Sequence, residues 1–159
     1  MKKENMLTRL ERAVEKKLPE DADFAIDWDR KNHTVELIVV LYAANPESQQ
    51  IEDADGVLSE ETVIEFEDSI LLYHPEKSVF DAEDYLAVFP YQGKKGLPTA
   101  FIDQLAGYLA DVVTDGLSDL LDFLADETAE VFELNWQDEE FERRLASADL
   151  TDFAAYPNY

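Results

Sequence analysis

The clearest pattern of chemically active side chains in this sequence is a row of aspartates within one long apolar segment. They recur at the helical spacings of three and four residues, as Asp111, Asp115, Asp119, Asp122 and Asp126. Like charges so placed repel one another by roughly 0.2–0.5 kcal/mol per pair, and a cationic partner would relieve that repulsion. The row is therefore a candidate acidic docking face for a basic protein, with carboxylates placed to imitate nucleic-acid phosphates. A solvated face on an acidic protein is the favoured interpretation of the row taken alone.

A short basic loop, Gly93-Lys94-Lys95-Gly96, leads into the start of the same segment at Pro98. Free backbone N–H groups at a helix N-terminus, together with Lys94 and Lys95, can hold a phosphate or a carboxylate. The P-loop pattern is absent, because no Gly-Lys-Ser/Thr stands at the required spacing. We interpret the loop as a plain turn with solvated lysines, and an anion-binding site at Lys94 and Lys95 is the alternative.

Two histidines, His33 and His74, are the remaining candidates for catalysis. Acidic residues follow His74 closely in the sequence, so a histidine–carboxylate pair could act as a general base there. No serine is marked by a nucleophile motif, and two histidines in a chain without cysteine make a poor zinc site. A small enzyme centred on His74 is therefore the least favoured hypothesis, and we expect no metal and no cofactor.

The stretch Asp53-x-Asp55-Gly56 has some features of a calcium-binding loop. Setting Gly56 at the sixth position of an EF-hand places Ile51 first and Thr62 twelfth, where carboxylates are needed. An acidic loop is the favoured interpretation, and a looser cation site is the alternative, formed by Asp53, Asp55, Glu60 and Glu61.

The formal charge of −24 is distributed unevenly along the chain. Residues 1–18 are net basic, whereas no Lys or Arg occurs between Lys31 and Lys77 or between Lys95 and Arg143. Such a surface repels nucleic acids and anionic membranes and attracts basic proteins. The chain lacks cysteine, a signal peptide and an apolar run of about 18 residues, so we expect a cytoplasmic protein with no membrane contact.

Hydrophobic periodicity predicts one domain over residues 1–159, with 150–159 as a loosely ordered tail. Helices are expected at residues 3–18, 98–125 and 137–148, with a kink or break at Gly116 as an alternative. Strands are expected at 23–29, 33–44, 62–73, 85–91 and 130–136. Because hairpin-length links join the strands, we predict an α+β fold in the order α-β-β-β-β-α-β-α. Its mainly antiparallel sheet of about five strands would carry the long amphipathic helix on one face.

Three stretches of the sequence resemble a known family. They are Trp28-Asp29-x-Lys31-Asn32-His33, the run FEDSILLYHPEKS from Phe66 with its continuation FDAEDYLA from Phe80, and Gly116-Leu117-x-Asp119-Leu120-Leu121-Asp122. Together they resemble small acidic proteins of lactic-acid and related Gram-positive bacteria, a domain of unknown function. The resemblance spans about residues 24–136 and implies a cytoplasmic bacterial protein. It supplies no activity, so no functional residue carries over.

Three functions therefore stay open from the sequence. The first is a non-enzymatic binding or regulatory module that docks a basic protein in a salt-sensitive way. The second is a chaperone-like or adaptor dimer that holds an apolar peptide, using the sheet or the aromatic tail residues Phe153, Tyr156 and Tyr159. The third is the small enzyme centred on His74. The expected oligomeric state is a monomer or a homodimer.

Overall fold

The computed structural model describes residues 5–44, 63–125 and 133–157. The helices in these ranges are α1 (Met6–Lys17), α2 (Thr99–Ala125) and α3 (Asp138–Ala146). The main sheet has the order β1-β2-β3-β4, formed by β1 (Ala22–Asp29), β2 (Thr34–Ala44), β3 (Val63–Tyr73) and β4 (Ala87–Pro90). A second small sheet pairs β5 (Leu97–Pro98) with β6 (Phe153–Ala154). The predicted α+β class with a mostly antiparallel sheet is therefore confirmed.

The long helix α2 packs on one face of this sheet, as its periodicity predicts. The inward side chains of β2 are fully buried against the helices, namely Val35, Leu37, Val39 and Leu41. They meet the apolar side of α2, where Ile102, Leu105 and Leu109 are fully buried as well. Alternation in the strand and a 3.6-residue period in the helix thus produce one shared core. Within the described ranges, no helix is both long and apolar enough to cross a membrane.

Helix α2 continues without a break through Gly116. A Cβ atom at this position would overlap Leu134 Cδ2 and lie 3.2 Å from Leu41 Cδ2. The glycine therefore permits a close approach of α2 to β2 and to the chain after the helix, which offsets its roughly 1 kcal/mol helix penalty. The alternative of a break at this glycine is wrong.

Strand β4 is the main departure from the predicted sheet. It pairs with β3 in parallel, with Ile70 opposite Ala87 and Tyr73 opposite Pro90. The connection over residues 74–86 is longer than a hairpin and contains a 3-10 turn capped by Asp81, which accepts from the Glu83 N–H. The carboxyl ends of β3 and β4 therefore meet at one edge of the sheet, where a hairpin would have separated them.

The last predicted strand, at residues 130–136, is also absent from the part of that range that the structure describes. Residues 133–137 have no regular structure, and 130–132 lie outside the described ranges. The Tyr108 hydroxyl accepts from the Gln137 N–H at 2.9 Å and donates to its carbonyl at 3.2 Å, which replaces the pairing that a sheet would give. The final pairing instead involves β6, where the sequence predicts an irregular tail. The predicted strand count and order are therefore not confirmed.

Candidate functional site

The aspartate row lies on α2, and we call its described members the α2 carboxylate face: Asp111, Asp115, Asp119 and Asp122. All of them are exposed to solvent. Asp111 accepts from Arg144 of α3 at 2.6 Å, and Arg144 also lies 4.7 Å from the ring centre of Tyr108. Within the described part of the chain, Asp115, Asp119 and Asp122 have no ion-pair partner. Asp126 lies outside the described residues.

The first half of α2 has a different electrostatic environment, because α1 supplies cations to it. The guanidinium of Arg9 binds both carboxylate oxygens of Asp103, and this hydrogen bond and the charge of Asp103 raise the pKa of Arg9. Lys17 donates to the Asp103 carbonyl at 3.3 Å. The basic N-terminal helix therefore neutralises the beginning of α2 and leaves the second half of the helix acidic.

The first helix N–H of α2 and the two loop lysines, which the sequence offers as an alternative anion site, have other contacts in the structure. The first N–H of the helix, that of Thr99, donates to the Asp152 carbonyl at 2.7 Å. Lys95 lies over the ring of Phe153, 4.1 Å from its centre. Lys94 instead lines a cavity at the edge of the sheet. The structure thus separates the lysines from each other and from the helix terminus.

This cavity, which we call the histidine cavity, has a volume of about 250 Å³. It lies where the β1–β2 turn and the carboxyl ends of β3 and β4 meet. Its main lining residues are His33, His74, Lys77, Tyr91, Lys94 and Tyr156. Both histidines of the chain are among them, with ring centres 5.9 Å apart. None of the described Asp or Glu residues lines it.

Part-buried hydrogen bonds fix the wall of the cavity at His33. The carbonyl of His33 accepts from the Tyr91 hydroxyl at 2.6 Å and from Ser78 Oγ at 3.0 Å. Tyr91 is only 1% exposed, and Ser78 Oγ in turn accepts from the His74 N–H. These bonds hold His33 at a φ of 56°, a left-handed conformation that few residues other than glycine adopt.

The ring of His74 is oriented by the turn that follows it. Its Nδ1 atom accepts from the Glu76 N–H at 3.1 Å, so Nε2 carries the proton in the neutral imidazole. A Cβ added at Gly93 would lie 3.8 Å from that Nε2 atom, so the glycine leaves the donor uncovered on this side. The acidic side chains that follow His74 in sequence are exposed and do not line the cavity, and no histidine–carboxylate pair forms among the described residues.

The C-terminal segment supplies the aromatic wall of the cavity. Tyr156 stacks on Tyr91 with ring centres 4.8 Å apart and an angle of 16°. Its hydroxyl accepts from Trp28 Nε1 at 2.7 Å. The segment is held in place over Gly96, whose φ of 80° and lack of a Cβ permit contact with the Ala154 carbonyl. Sequence reasoning missed Tyr91, and the one available signal was its position directly after Pro90 at a strand end.

One carboxylate of the sheet has a buried environment. Asp68 of β3 is half-buried, and burial raises the pKa of its carboxyl despite a hydrogen bond from the Ser69 N–H at 2.8 Å. The charge of Glu133 raises it further. Among the described residues, no group of three or more His, Asp or Glu side chains is arranged to hold a metal ion. The loop with Asp53 and Asp55 lies outside those residues.

Comparisons with known proteins place the chain in an uncharacterised group. A family described as "Protein of unknown function (DUF3013)" matches residues 1–158. A crystal structure described as a conserved protein of unknown function from Enterococcus faecalis is 48% identical, with a TM-score of 0.82, and the match covers 99% of this chain and 98% of that one. No curated protein matches the chain. The family resemblance seen in the sequence is therefore confirmed, and it brings no activity.

Proposed function

The chain belongs to the family of proteins of unknown function DUF3013, and we propose that it is a non-enzymatic binding module that docks a basic protein through the α2 carboxylate face. The observation that supports this function is the state of Asp115, Asp119 and Asp122. They are exposed on one side of one helix, and no described cation pairs with them. A basic partner would relieve their mutual repulsion, which no cation in residues 5–44, 63–125 and 133–157 compensates.

The rigidity of α2 favours recognition over simple solvation. The opposite side of the same turns is anchored in the core, where Val112, Val113 and Leu120 are at most 4% exposed. The three carboxylates therefore keep a fixed spacing, with rises of about 6 Å and 4.5 Å along the helix axis. A fixed array loses little conformational entropy on binding, which increases the affinity available from each ion pair.

Other exposed acids have a plainer role and do not belong to the proposed surface. The outer residues of β1, including Asp23 and Asp27, alternate with half-buried ones along an edge strand. Charges on an edge strand prevent pairing with the strands of other molecules. The second half of α2 combines exposed carboxylates at regular helical spacing with the absence of any described Lys or Arg on the same stretch of helix.

The apolar-peptide alternative receives less support from the contacts of the aromatic tail. Tyr156 stacks on Tyr91, and Phe153 lies beneath Lys95, so both rings already have internal partners. Tyr159 lies outside the described residues. The large apolar side chains exposed in the described ranges are Val79, Leu121 and Leu150, which lie in three different segments. The acidic docking surface is therefore the function that we favour.

A triple variant tests the proposal directly. Asp115→Asn/Asp119→Asn/Asp122→Asn removes the uncompensated carboxylates and leaves the Asp111–Arg144 pair intact. Immobilised wild-type protein is expected to retain basic proteins from bacterial lysate and release them as salt rises. Since exposed ion pairs are worth about 0.2–1 kcal/mol each, the loss of three should weaken binding by about 3- to 150-fold.

A matched control distinguishes the effect of losing these three aspartates from the effect of a lower net charge. Glu11→Gln/Glu15→Gln/Glu20→Gln removes three exposed carboxylates from α1 and the turn after it, so both triple variants have a formal charge of −21. The control should retain the same proteins as the wild type. If both variants lose the same amount of binding, retention depends on the total negative charge and not on one surface. Unchanged binding by the aspartate variant would exclude the α2 carboxylate face.

A further inference from the structure

We propose that the histidine cavity binds a small phosphate-bearing anion. This site is separate from the acidic docking surface and does not depend on it. Basic and acidic side chains are distributed unequally around this cavity. Asp and Glu account for 37 of 159 residues, against 13 Lys and Arg and 2 His, yet none of the described acids lines the cavity. Both histidines and two lysines do, although they come from three separate parts of the sequence.

The polar atoms of the cavity are suited to donate hydrogen bonds. Lys77 and Lys94 supply ammonium groups, which bind phosphates as point charges. The Glu76 N–H occupies Nδ1 of His74 and leaves Nε2 as a donor beside Gly93. The turn that carries Lys77 is fixed by hydrogen bonds from the Lys77 and Ser78 N–H groups to the His74 carbonyl, at 3.2 and 3.1 Å. Hydrogen-bond donors from the turn after β3 and the turn before β5 thus surround the histidine cavity.

The cavity wall at His33 is a part-buried stretch of backbone that hydrogen bonds hold in an uncommon conformation. Tyr91 and Ser78 both bind the His33 carbonyl and keep that residue in a left-handed conformation. The side chain of Asn32 is bonded twice to the backbone of Val79, each time at 2.7 Å. Strain retained in this way is characteristic of ligand sites.

The size and the aromatic wall indicate the class of ligand. A volume of about 250 Å³ is below the usual range for drug-sized ligands, so the cavity fits a small anion. The half-buried ring of Tyr156, which stacks on the buried Tyr91, provides an aromatic wall beside the lysines. This combination fits free phosphate, or a phosphate monoester whose small organic part contacts Tyr156.

Nuclear magnetic resonance can test the site because the chain has only two histidines, so two sets of ring signals report on it. The protein is titrated at fixed pH and ionic strength with inorganic phosphate, phenyl phosphate and benzoate. Both histidines should shift saturably with phenyl phosphate. Equal affinity for inorganic phosphate would identify free phosphate as the ligand, and weaker affinity for it would identify a monoester. Either result supports the proposal.

Two charge-matched variants complete the test. Lys77→Gln/Lys94→Gln should weaken phenyl phosphate binding by about tenfold or more, because both ammonium groups are lost. Lys16→Gln/Lys95→Gln removes two exposed lysines that do not line the cavity and should leave the affinity unchanged. The proposal is overturned if neither histidine shifts, if benzoate binds as tightly as phenyl phosphate, or if both variants lose affinity equally.

Discussion

The α2 carboxylate face and the histidine cavity differ in how their charged and polar side chains are brought together. On α2, like charges stand along a single helix, exposed and regularly spaced, with Arg144 compensating Asp111 alone. In the cavity, His33 from the β1–β2 turn, His74 and Lys77 from the turn after β3 and Lys94 from the turn before β5 meet around a shared space. The helix needs only its own periodicity to form its surface, whereas the cavity needs the whole sheet edge to be assembled.

Because they are built differently, the two regions should respond differently to amino-acid substitutions. A surface on one helix persists as long as that helix stays packed, so it should tolerate substitutions in the loops. A cavity built from several turns should be lost when any one of them moves. We expect the following variants to separate the two regions.

Gly96→Ala should have the largest effect. The added Cβ would overlap the Ala154 carbonyl, and the φ of 80° disfavours any L side chain, so we expect a loss of about 3 kcal/mol or more in the free energy of unfolding. Gly93→Ala is the control, because its nearest contact would be an ordinary 3.8 Å to His74 Nε2. It should cost about 1–2 kcal/mol for its backbone conformation alone. Urea denaturation measures both, and equal losses would contradict the close approach of β6.

Gly116→Ala should have an intermediate effect and tests how α2 is anchored. Alanine gains about 1 kcal/mol in helix propensity but overlaps the buried side chain of Leu134, and overpacking costs about 1–3 kcal/mol, so a net loss near 1 kcal/mol is expected. Gly107→Ala on the same helix meets only the flexible end of Lys17, at 3.4 Å, and should stabilise the protein. Thermal denaturation that gives both variants the same sign would disprove this packing.

Asp68→Asn should increase stability slightly and only above acidic pH. Burial raises the pKa of Asp68 from its ordinary value of 3.8, so the folded protein loses stability as pH rises from 3.8 through the folded pKa. Asparagine avoids that loss and should gain less than about 1 kcal/mol near neutral pH, because solvent partly screens the group. The gain should vanish near pH 3, and a pH-independent gain would exclude ionisation as its cause. Glu67→Gln, on the neighbouring exposed position, is the control.

Arg144→Gln should have the smallest effect on stability. It tests whether a further uncompensated carboxylate on α2 strengthens binding of basic proteins. Losing its pair with Asp111 should cost less than about 1 kcal/mol and leave a fourth uncompensated carboxylate on the face. Retention of basic proteins should therefore persist to higher salt. Arg143→Gln is the matched control, because Arg143 pairs with Glu140 on the same helix and does not reach α2. Identical salt profiles for the two variants would argue against the α2 surface.

The parts of the molecule that depend on local pattern could be predicted from the sequence. The bounds of α2 and the β1–β2 hairpin follow from periodicity within each segment, and so does the placement of the aspartates on one side of a helix. The 3-10 turn after Asp81 likewise follows from a local cap. The role of Gly116 could not be predicted, because it depends on Leu134, which lies beyond the end of the helix.

The histidine cavity depended on a pairing that local pattern does not specify. If β4 followed β3 in a hairpin, His74 and Tyr91 would stand at opposite edges of the sheet. The parallel pairing of Tyr73 with Pro90 brings them to one edge. The stacking of Tyr156 on Tyr91 then depends on β6, which has two residues and no detectable periodicity. Contacts between segments distant in sequence thus created the site, so the sequence placed Lys94 and Lys95 together where the structure separates them.

The most direct test of the proposed docking surface is zero-length cross-linking of carboxylates to lysines in bacterial lysate, with the linked residues mapped by mass spectrometry. We expect links to a basic partner to concentrate on Asp115, Asp119 and Asp122 and to disappear at high salt. Links spread evenly over the acids of α1, β1 and α3, or confined to them, would contradict it.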